Sequence, residues 1–401
     1  MKSELKMRNK LLAIVTVLSS LALSSRADSI PSMFSRQVEW RIGAEVSPSW
    51  VPATNTFLRG DNNRGERMTA SVGGDIRADF SFSPATREGM LYKGVRQGLG
   101  IGVSSYFPSG LLGTPVSAYV YQGAPIVRLG NRLWLGYEWQ FGAAFGWKHY
   151  DKETDGKNIA IGTPVTAHIG VAFKLNYRLT ERWEMSFGIV GRHFSNGNTS
   201  WPNNGVNTLG ASVGIAYVIN PEEYPVVTAE TLAKEADRHK WMFDLMAYGA
   251  WRKKVVTVGT PAQPQLCPGK FGVAGMQFAP LYTLNRRFAA GPALDLQWDE
   301  SGGIQPYWVE GSYEDNIKFR RPPFGKQISV GISAHAELTM PIFSVNVGLG
   351  YDVVNPQGEK AFYQSLTLKT FLTKRIYLNT GYRLGNFKDP QNLMLGIGVR
   401  L

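Results

Sequence analysis

Cysteine is nearly absent from the chain. Among 401 residues there is one, Cys267, so an internal disulfide framework is excluded, and a loop thiol without a role is the simplest reading. Long apolar runs are missing too. Beyond the N-terminus no segment offers some 18 consecutive apolar residues, which excludes a transmembrane helix. Helix signals are scarce, and acidic residues are outnumbered, 31 Asp+Glu against 43 Lys+Arg, for a formal charge of +12. No cluster of cysteine or histidine suggests a metal, and no cofactor is expected.

What is present begins with an export pattern. Lys2, Lys6, Arg8 and Lys10 precede a largely apolar stretch from Leu11 to Leu23, then small residues with cleavage sites near Ser24 or after Ala27. This reads as a signal peptide over residues 1–27, because the apolar core is too short to span a bilayer. No cysteine follows it, so no lipoprotein anchor is expected. Its removal takes five Lys/Arg and one Asp/Glu and lowers the formal charge from +12 to +8. That basic balance suggests an anionic partner such as a phosphorylated lipid, or else serves solubility alone; export argues against nucleic acid.

Alternation with period two recurs along the mature chain. From Trp183 to Ser195 the odd positions read Trp183, Met185, Phe187, Ile189, Gly191, His193 and Ser195, and the even ones Glu184, Ser186, Gly188, Val190 and Arg192. Segments 165–178 and 209–217 repeat the pattern. One apolar face and one face of charges and glycines fit a membrane strand with its apolar side to lipid and a tight polar lumen. About sixteen such strands are expected, in an all-β transmembrane antiparallel barrel of the outer membrane. Four turns share a form: Leu129–Arg132, Leu179–Arg182, Leu284–Arg287 and Leu372–Arg375. All follow even-numbered strands, so all lie at one end, while segments 148–162, 257–270 and 300–324 make longer connections at the other. Short periplasmic turns and long outer loops are the outer-membrane habit; segment 83–96 is an exception. Gly396, Val399 and Leu401 resemble the C-terminal signal of such barrels, without its final aromatic.

Sliding the chain by 193 positions aligns the strands after two of these turns. Arg182 meets Arg375, Gly188 meets Gly381 and Phe194 meets Phe387, but His193 meets Asn386, Ser195 meets Lys388 and Asn196 meets Asp389. This suggests duplication of an eight-strand unit: a first barrel over 28–220, a periplasmic linker over 221–238 with a helix-prone stretch from about Thr228, and a second unit over 239–401 lacking the polar pair. One sixteen-stranded barrel is the rival. Small lumen-facing residues in the eighth strand favour a narrow, filled interior.

Residues two apart on a strand share a face, so His193 and Ser195 are expected side by side at the outer end of the seventh strand. Asn207, returning on the eighth, has the same outward phase. A polar cluster at the membrane boundary is costly unless satisfied or used, and Ser–His with an orienting third group is the logic of acyl transfer. The other histidines have mundane readings: His168 points to the lumen by phase, His149 lies in a loop, His239 in the linker and His335 on a strand of the second copy. Trp134, Trp139, Trp183 and Tyr217 are expected as girdle anchors at the interface.

The strings HFSNG (193–197) and PNNGVN (202–207) resemble the lipid A 3-O-deacylase (PagL) family of eight-stranded outer-membrane barrels. The resemblance is sharpest from Leu179 to Tyr217. It implies Ser195 as nucleophile, His193 as general base, and Asn196 and Asn203, with backbone N–H groups of the Gly197 loop, as support for the site and its oxyanion. For the two asparagines, ordinary turn geometry is the alternative. The family's triad glutamate aligns with Asn207, which accepts a hydrogen bond but adds no negative charge. Three outcomes follow: a working Ser–His–Asn site, another carboxylate reaching His193, or an inactive relative; the first is favoured. The implied partner is lipid A or lipopolysaccharide in the outer leaflet. The rival class is a non-enzymatic barrel, a channel or an adhesion protein.

Overall fold

A strand that faces lipid on one side and a filled lumen on the other needs each backbone group paired to a neighbouring strand, and closure removes the last two edges. The computed structural model describes residues 38–83, 87–221, 241–258, 263–285, 287–307, 318–358, 360–387 and 389–401. It closes the chain twice. The first barrel runs β1 (Val38–Trp50), β2 (Ala70–Phe82), β3 (Arg96–Phe107), β4 (Gly113–Arg128), β5 (Leu133–Trp147), β6 (Val165–Arg178), β7 (Trp183–Ser195) and β8 (Val206–Val218), each antiparallel to the next. It shuts by pairing β1 with β8, Val46 opposite Val213.

The second barrel runs β9 (Trp241–Arg252), β12 (Phe271–Thr283), β13 (Phe288–Asp299), β16 (Ile328–Thr339), β17 (Phe343–Val354), β18 (Phe362–Phe371), β19 (Ile376–Gly385) and β20 (Asp389–Arg400). It shuts by pairing β20 with β9, Leu395 opposite Gly249. Two small hairpins rise from its outer loops, β10 (Val255–Val258) with β11 (Gln263–Leu266), and β14 (Gln305–Tyr307) with β15 (Lys318–Arg320). Eight strands close each barrel, so the single sixteen-stranded cylinder is overturned. The expected signal peptide, and the linker from residue 222 onward with its helix-prone stretch, lie outside the described residues.

The four short turns share one backbone bond. Leu129 N donates to Leu133 O, Leu179 N to Trp183 O, Leu284 N to Phe288 O and Leu372 N to Ile376 O, all at 2.8–2.9 Å. In three of them the second turn residue also accepts from the backbone ahead: Thr180 Oγ1 from Trp183 N (3.0 Å), Asn285 Oδ1 from Phe288 N (3.0 Å) and Thr373 Oγ1 from Ile376 N (2.9 Å). Short polar side chains thus replace missing ladder bonds. The longer periplasmic segment after β2 contains a helical turn, Arg87–Tyr92.

Outward positions such as Ile76, Leu99, Ile101, Ile189 and Val213 are exposed and apolar. Inward positions hold a buried ionic lattice. In the first barrel Arg77 and Lys174 bridge Glu45 and Glu138, with Arg77 to Glu45 at 2.7 Å. Arg41 joins Asp79 and Glu184, and Arg192 meets Asp75 at 2.8 Å. In the second barrel Lys369 and Arg400 clamp Asp244 and Glu337. Removing one member of such a lattice strands a buried charge and costs roughly 3–5 kcal/mol. Glycine admits large neighbours here: a Cβ on Gly100 would meet the Tyr119 ring at 2.3 Å. Free volume in the first lumen includes a cavity of about 40 Å³ among Arg41, Glu45 and Arg77, and one of about 140 Å³ at the periplasmic mouth beside Arg96 and Arg128. An apolar lid of Val51, Phe57, Leu58, Met68, Leu112 and Ile161 closes the outer mouth. The interior is filled, as the small residues of β8 suggested.

Two outward residues contradict a lipid-facing wall. Gln97 and Gln122 pair across β3 and β4, 2.7 Å apart, and both are buried. The second barrel covers them: Ile342 N donates to Gln97 Oε1 (3.3 Å), while Met340 and Phe343 pack on Val120, Trp139 and Phe141. Trp139 therefore lies between barrels, its ring 5.3 Å from that of Phe343. Trp134 departs from the girdle expectation too. It turns into the lumen, where Arg96 and Arg128 lie over its ring. Trp183 and Tyr217 pair on the outer wall at the periplasmic end, 5.0 Å between rings.

Candidate active site

Strand β7 reaches the outer rim with its odd positions outward. His193 and Ser195 are half-buried on that face, while Arg192 and Phe194 point inward and are buried. Strand β8 pairs Asn207 opposite His193. His193 Nε2 lies 2.9 Å from Ser195 Oγ, and His193 Nδ1 lies 2.8 Å from Asn207 Oδ1. An amide oxygen can only accept, so Asn207 assigns the Nδ1–H tautomer, and the lone pair of Nε2 faces the serine hydroxyl. Among the described residues no carboxylate lies within ion-pair distance of His193. The nearby Arg192 is neutralised inside the barrel, donating to Asp75 and to Ser47 Oγ at 2.7 Å.

The loop between the strands is held by its own side chains. Asn203 Oδ1 accepts from Asn196 N at 2.8 Å. Asn196 Nδ2 reaches the Ser200 carbonyl at 3.2 Å, and Asn196 Oδ1 is buried without a hydrogen-bond partner among the described residues. Gly197 and Asn198 take left-handed backbone, φ +61° and +65°. Asn203 thus ties the loop base, and Asn196 is turned to the loop interior, not toward Ser195.

Sequence reasoning passed over the residues that brace this loop from outside. Gly205 has φ +72°, and a Cβ there would stand 3.0 Å from His193 Cε1 and from the Phe194 carbonyl oxygen. Only a glycine lets the backbone run this close under the imidazole. Its N–H donates to Ala160 O at 2.9 Å, and Asn204 N donates to Ile159 O at 3.2 Å. Asn55 Nδ2 reaches Gly205 O at 3.4 Å. The motif held a signal for Gly205 in its fourth position. Asn55 and the 159–160 segment, from distant loops, left none.

At the positions that align with 193–195 the second copy lacks this arrangement. Its β19 ends at Gly385, and Asn386 and Phe387 enter a left-handed turn, φ +45° and +62°. Phe387 is exposed whereas its counterpart Phe194 is buried; Lys388 lies outside the described residues.

Residues 110–216 match the model of the lipid A 3-O-deacylase (PagL) family, and residues 241–401 match that of the acyloxyacyl hydrolase C-terminal domain. Together the matches take up about two thirds of the chain. The chain belongs to the lipid A 3-O-deacylase family. It is an outer-membrane β-barrel protein, and the family implies lipopolysaccharide as the substrate. No curated protein matches it. Among solved structures it is similar to an outer membrane channel of Pseudomonas putida F1, at 11% identity and a TM-score of 0.21, over 91% of this chain and 96% of that one. The Pseudomonas putida toluene transporter TodX matches at 11% identity and a TM-score of 0.17, over 91% and 88%. The siderophore receptor PirA of Acinetobacter baumannii matches at 10% identity and a TM-score of 0.21, over 86% and 68%.

Proposed function

We propose that the chain hydrolyses an ester-linked acyl chain of lipid A in the outer leaflet, with Ser195 as nucleophile, His193 as general base and Asn207 as orienting residue. The observation that carries this reading is the unbroken chain Ser195 Oγ–His193 Nε2 and His193 Nδ1–Asn207 Oδ1, at 2.9 and 2.8 Å on the outward face. The substrate arrives from the side, through the bilayer, so a wall-mounted site needs no opening into the lumen.

The steps follow from those contacts. His193 Nε2 takes the Ser195 proton as Oγ attacks the ester carbonyl. The tetrahedral oxyanion is stabilised by donors of the loop, the Gly197 N–H and the Asn196 amide once substrate draws it outward. Collapse breaks the bond to the sugar oxygen, which takes its proton from the His193 imidazolium. Water, deprotonated by the same nitrogen, then attacks the acyl-serine, releases the fatty acid and restores Ser195. Asn207 holds the tautomer but leaves the imidazolium without a neighbouring anion.

Mass spectrometry of lipid A from cells expressing wild type or Ser195→Ala tests the reading. Wild type is expected to remove one acyl chain and the variant none. An unaltered lipid A with wild type sinks the proposal.

A further inference from the structure

The rim of the second barrel touches the site loop of the first. Lys253 N donates to the carbonyl oxygen of Asn198, three residues past Ser195, at 3.1 Å. A Cβ on Gly197 would meet Leu393 Cδ2 at 2.7 Å, so Leu393 of β20 lies directly over that glycine. The outer end of β9 and the start of β20 therefore border the segment that carries the nucleophile.

That border is basic. Phe271 and Arg252 form the last pair of the β9–β12 ladder; Lys270 immediately precedes the one, and Lys253 and Lys254 follow the other. Two other cations of this rim are paired: Arg252 meets Asp299 at 2.9 Å and Arg321 meets Glu300 at 2.5 Å. Lys253 and Lys270 have no carboxylate partner among the described residues. The Lys270 ammonium stands 5.9 Å from the centroid of the Trp251 ring. Trp251 is exposed on the outer wall, and such rings settle at headgroup level. The Lys270 ammonium is thus at the depth where the outer leaflet carries its phosphates, and Lys253 lies two residues beyond Trp251.

We infer that Lys253 and Lys270 form an anion subsite that takes a phosphate group of the glycolipid whose acyl chain lies at Ser195. The second barrel then contributes substrate recognition to chemistry done by the first. This rests on the deacylase reading of Ser195. Each ammonium offers charge-assisted hydrogen bonds to the phosphate oxygens, and the backbone bond from Lys253 to Asn198 sets its distance from the nucleophile.

The test uses the full chain in mixed micelles with two substrates, phosphorylated lipid A and the same lipid after phosphatase treatment. The ratio of kcat/KM for the first over the second is expected to fall about tenfold in Lys253→Ala/Lys270→Ala, through KM. Lys253→Arg/Lys270→Arg is expected to restore it, and Lys326→Ala, on another part of the rim, to leave it unchanged. An unchanged ratio in the double alanine variant, or equal losses on both lipids, overturns the subsite. Should wild type cleave neither lipid, the deacylase reading fails by itself. Binding then decides the subsite: the Ser195→Ala chain must hold phosphorylated lipid A about tenfold more tightly than Ser195→Ala/Lys253→Ala/Lys270→Ala, and equal affinities overturn it.

Discussion

Serine, histidine and asparagine meet twice in this molecule. In the first barrel Ser195 Oγ lies 2.9 Å from His193 Nε2, and His193 Nδ1 lies 2.8 Å from Asn207 Oδ1. In the second, Ser333 Oγ lies 2.9 Å from His335 Nε2, and His335 Nδ1 lies 2.6 Å from Asn346 Oδ1. Both pairs are two residues apart on a strand, and both take Asn from the next strand. The difference is the face. His193 and Ser195 are half-buried on the outer wall, whereas Ser333, His335 and Asn346 are all buried in the lumen. There Ser333 Oγ also donates to the Asp295 carboxylate, which Tyr363 and Gln277 hold as well. The Ser333 proton is thus committed to an anion and its oxygen faces no bilayer. Triad distances alone do not make a site: access for an acyl chain and a hydroxyl free to give its proton to histidine separate the two.

Breaking one chain at a time sharpens this contrast. Ser195→Ala is expected to lower deacylation by at least ~10⁴-fold, while Ser333→Ala leaves it within about twofold, both read as fatty acid released per minute from purified lipid A. If Ser333→Ala proves as damaging, the two faces have been assigned the wrong roles.

Charge at the third position comes next. Asn207→Glu places a carboxylate against His193 Nδ1–H, and a charge-assisted bond exceeds a neutral one by about 1–2 kcal/mol. A rise in kcat of roughly tenfold is expected. A fall would mean that the shorter amide is the better orienter in this wall. Gly205→Ala forces a Cβ to 3.0 Å from His193 Cε1 at φ +72°. The strain of about 1–2 kcal/mol is expected to displace the imidazole and lower kcat about tenfold, with wild-type mobility of the folded barrel on unheated gels.

The smallest effect on catalysis is expected in the second barrel. His335→Leu leaves Asn346 and Ser333 short of a partner inside the lumen, at a cost of about 1–3 kcal/mol. A lower temperature for the folded-to-unfolded gel shift, with deacylation intact, is the expected result. Lost deacylation at full stability would tie the inner chain to the reaction.

The faces themselves were legible beforehand. Alternation from Trp183 to Ser195 put His193 and Ser195 outward, and the structure keeps them there. The same reasoning misplaced Trp134, because a large ring fits the lumen when arginines cover it. It also had no account of Gln97 and Gln122, whose polar side chains face outward yet meet protein instead of lipid. Sliding the chain by 193 kept strand phase as far as Gly381 and lost it at Phe387, where a left-handed turn ends the strand early.

Period-two patterning acts through nearest neighbours along the chain, and turn residues act through their own backbone. Strand existence, the facing of His193 and Ser195 and the one-ended array of short turns were therefore determined by sequence alone. Closure at eight strands was decided by which distant edges meet, β1 with β8 and β9 with β20. So were the support of Gly205 by Asn55 and Ala160 and the approach of Lys253 to Asn198, since each joins residues that share no local pattern. Such contacts depend on the curvature and docking of closed sheets, which no periodicity encodes.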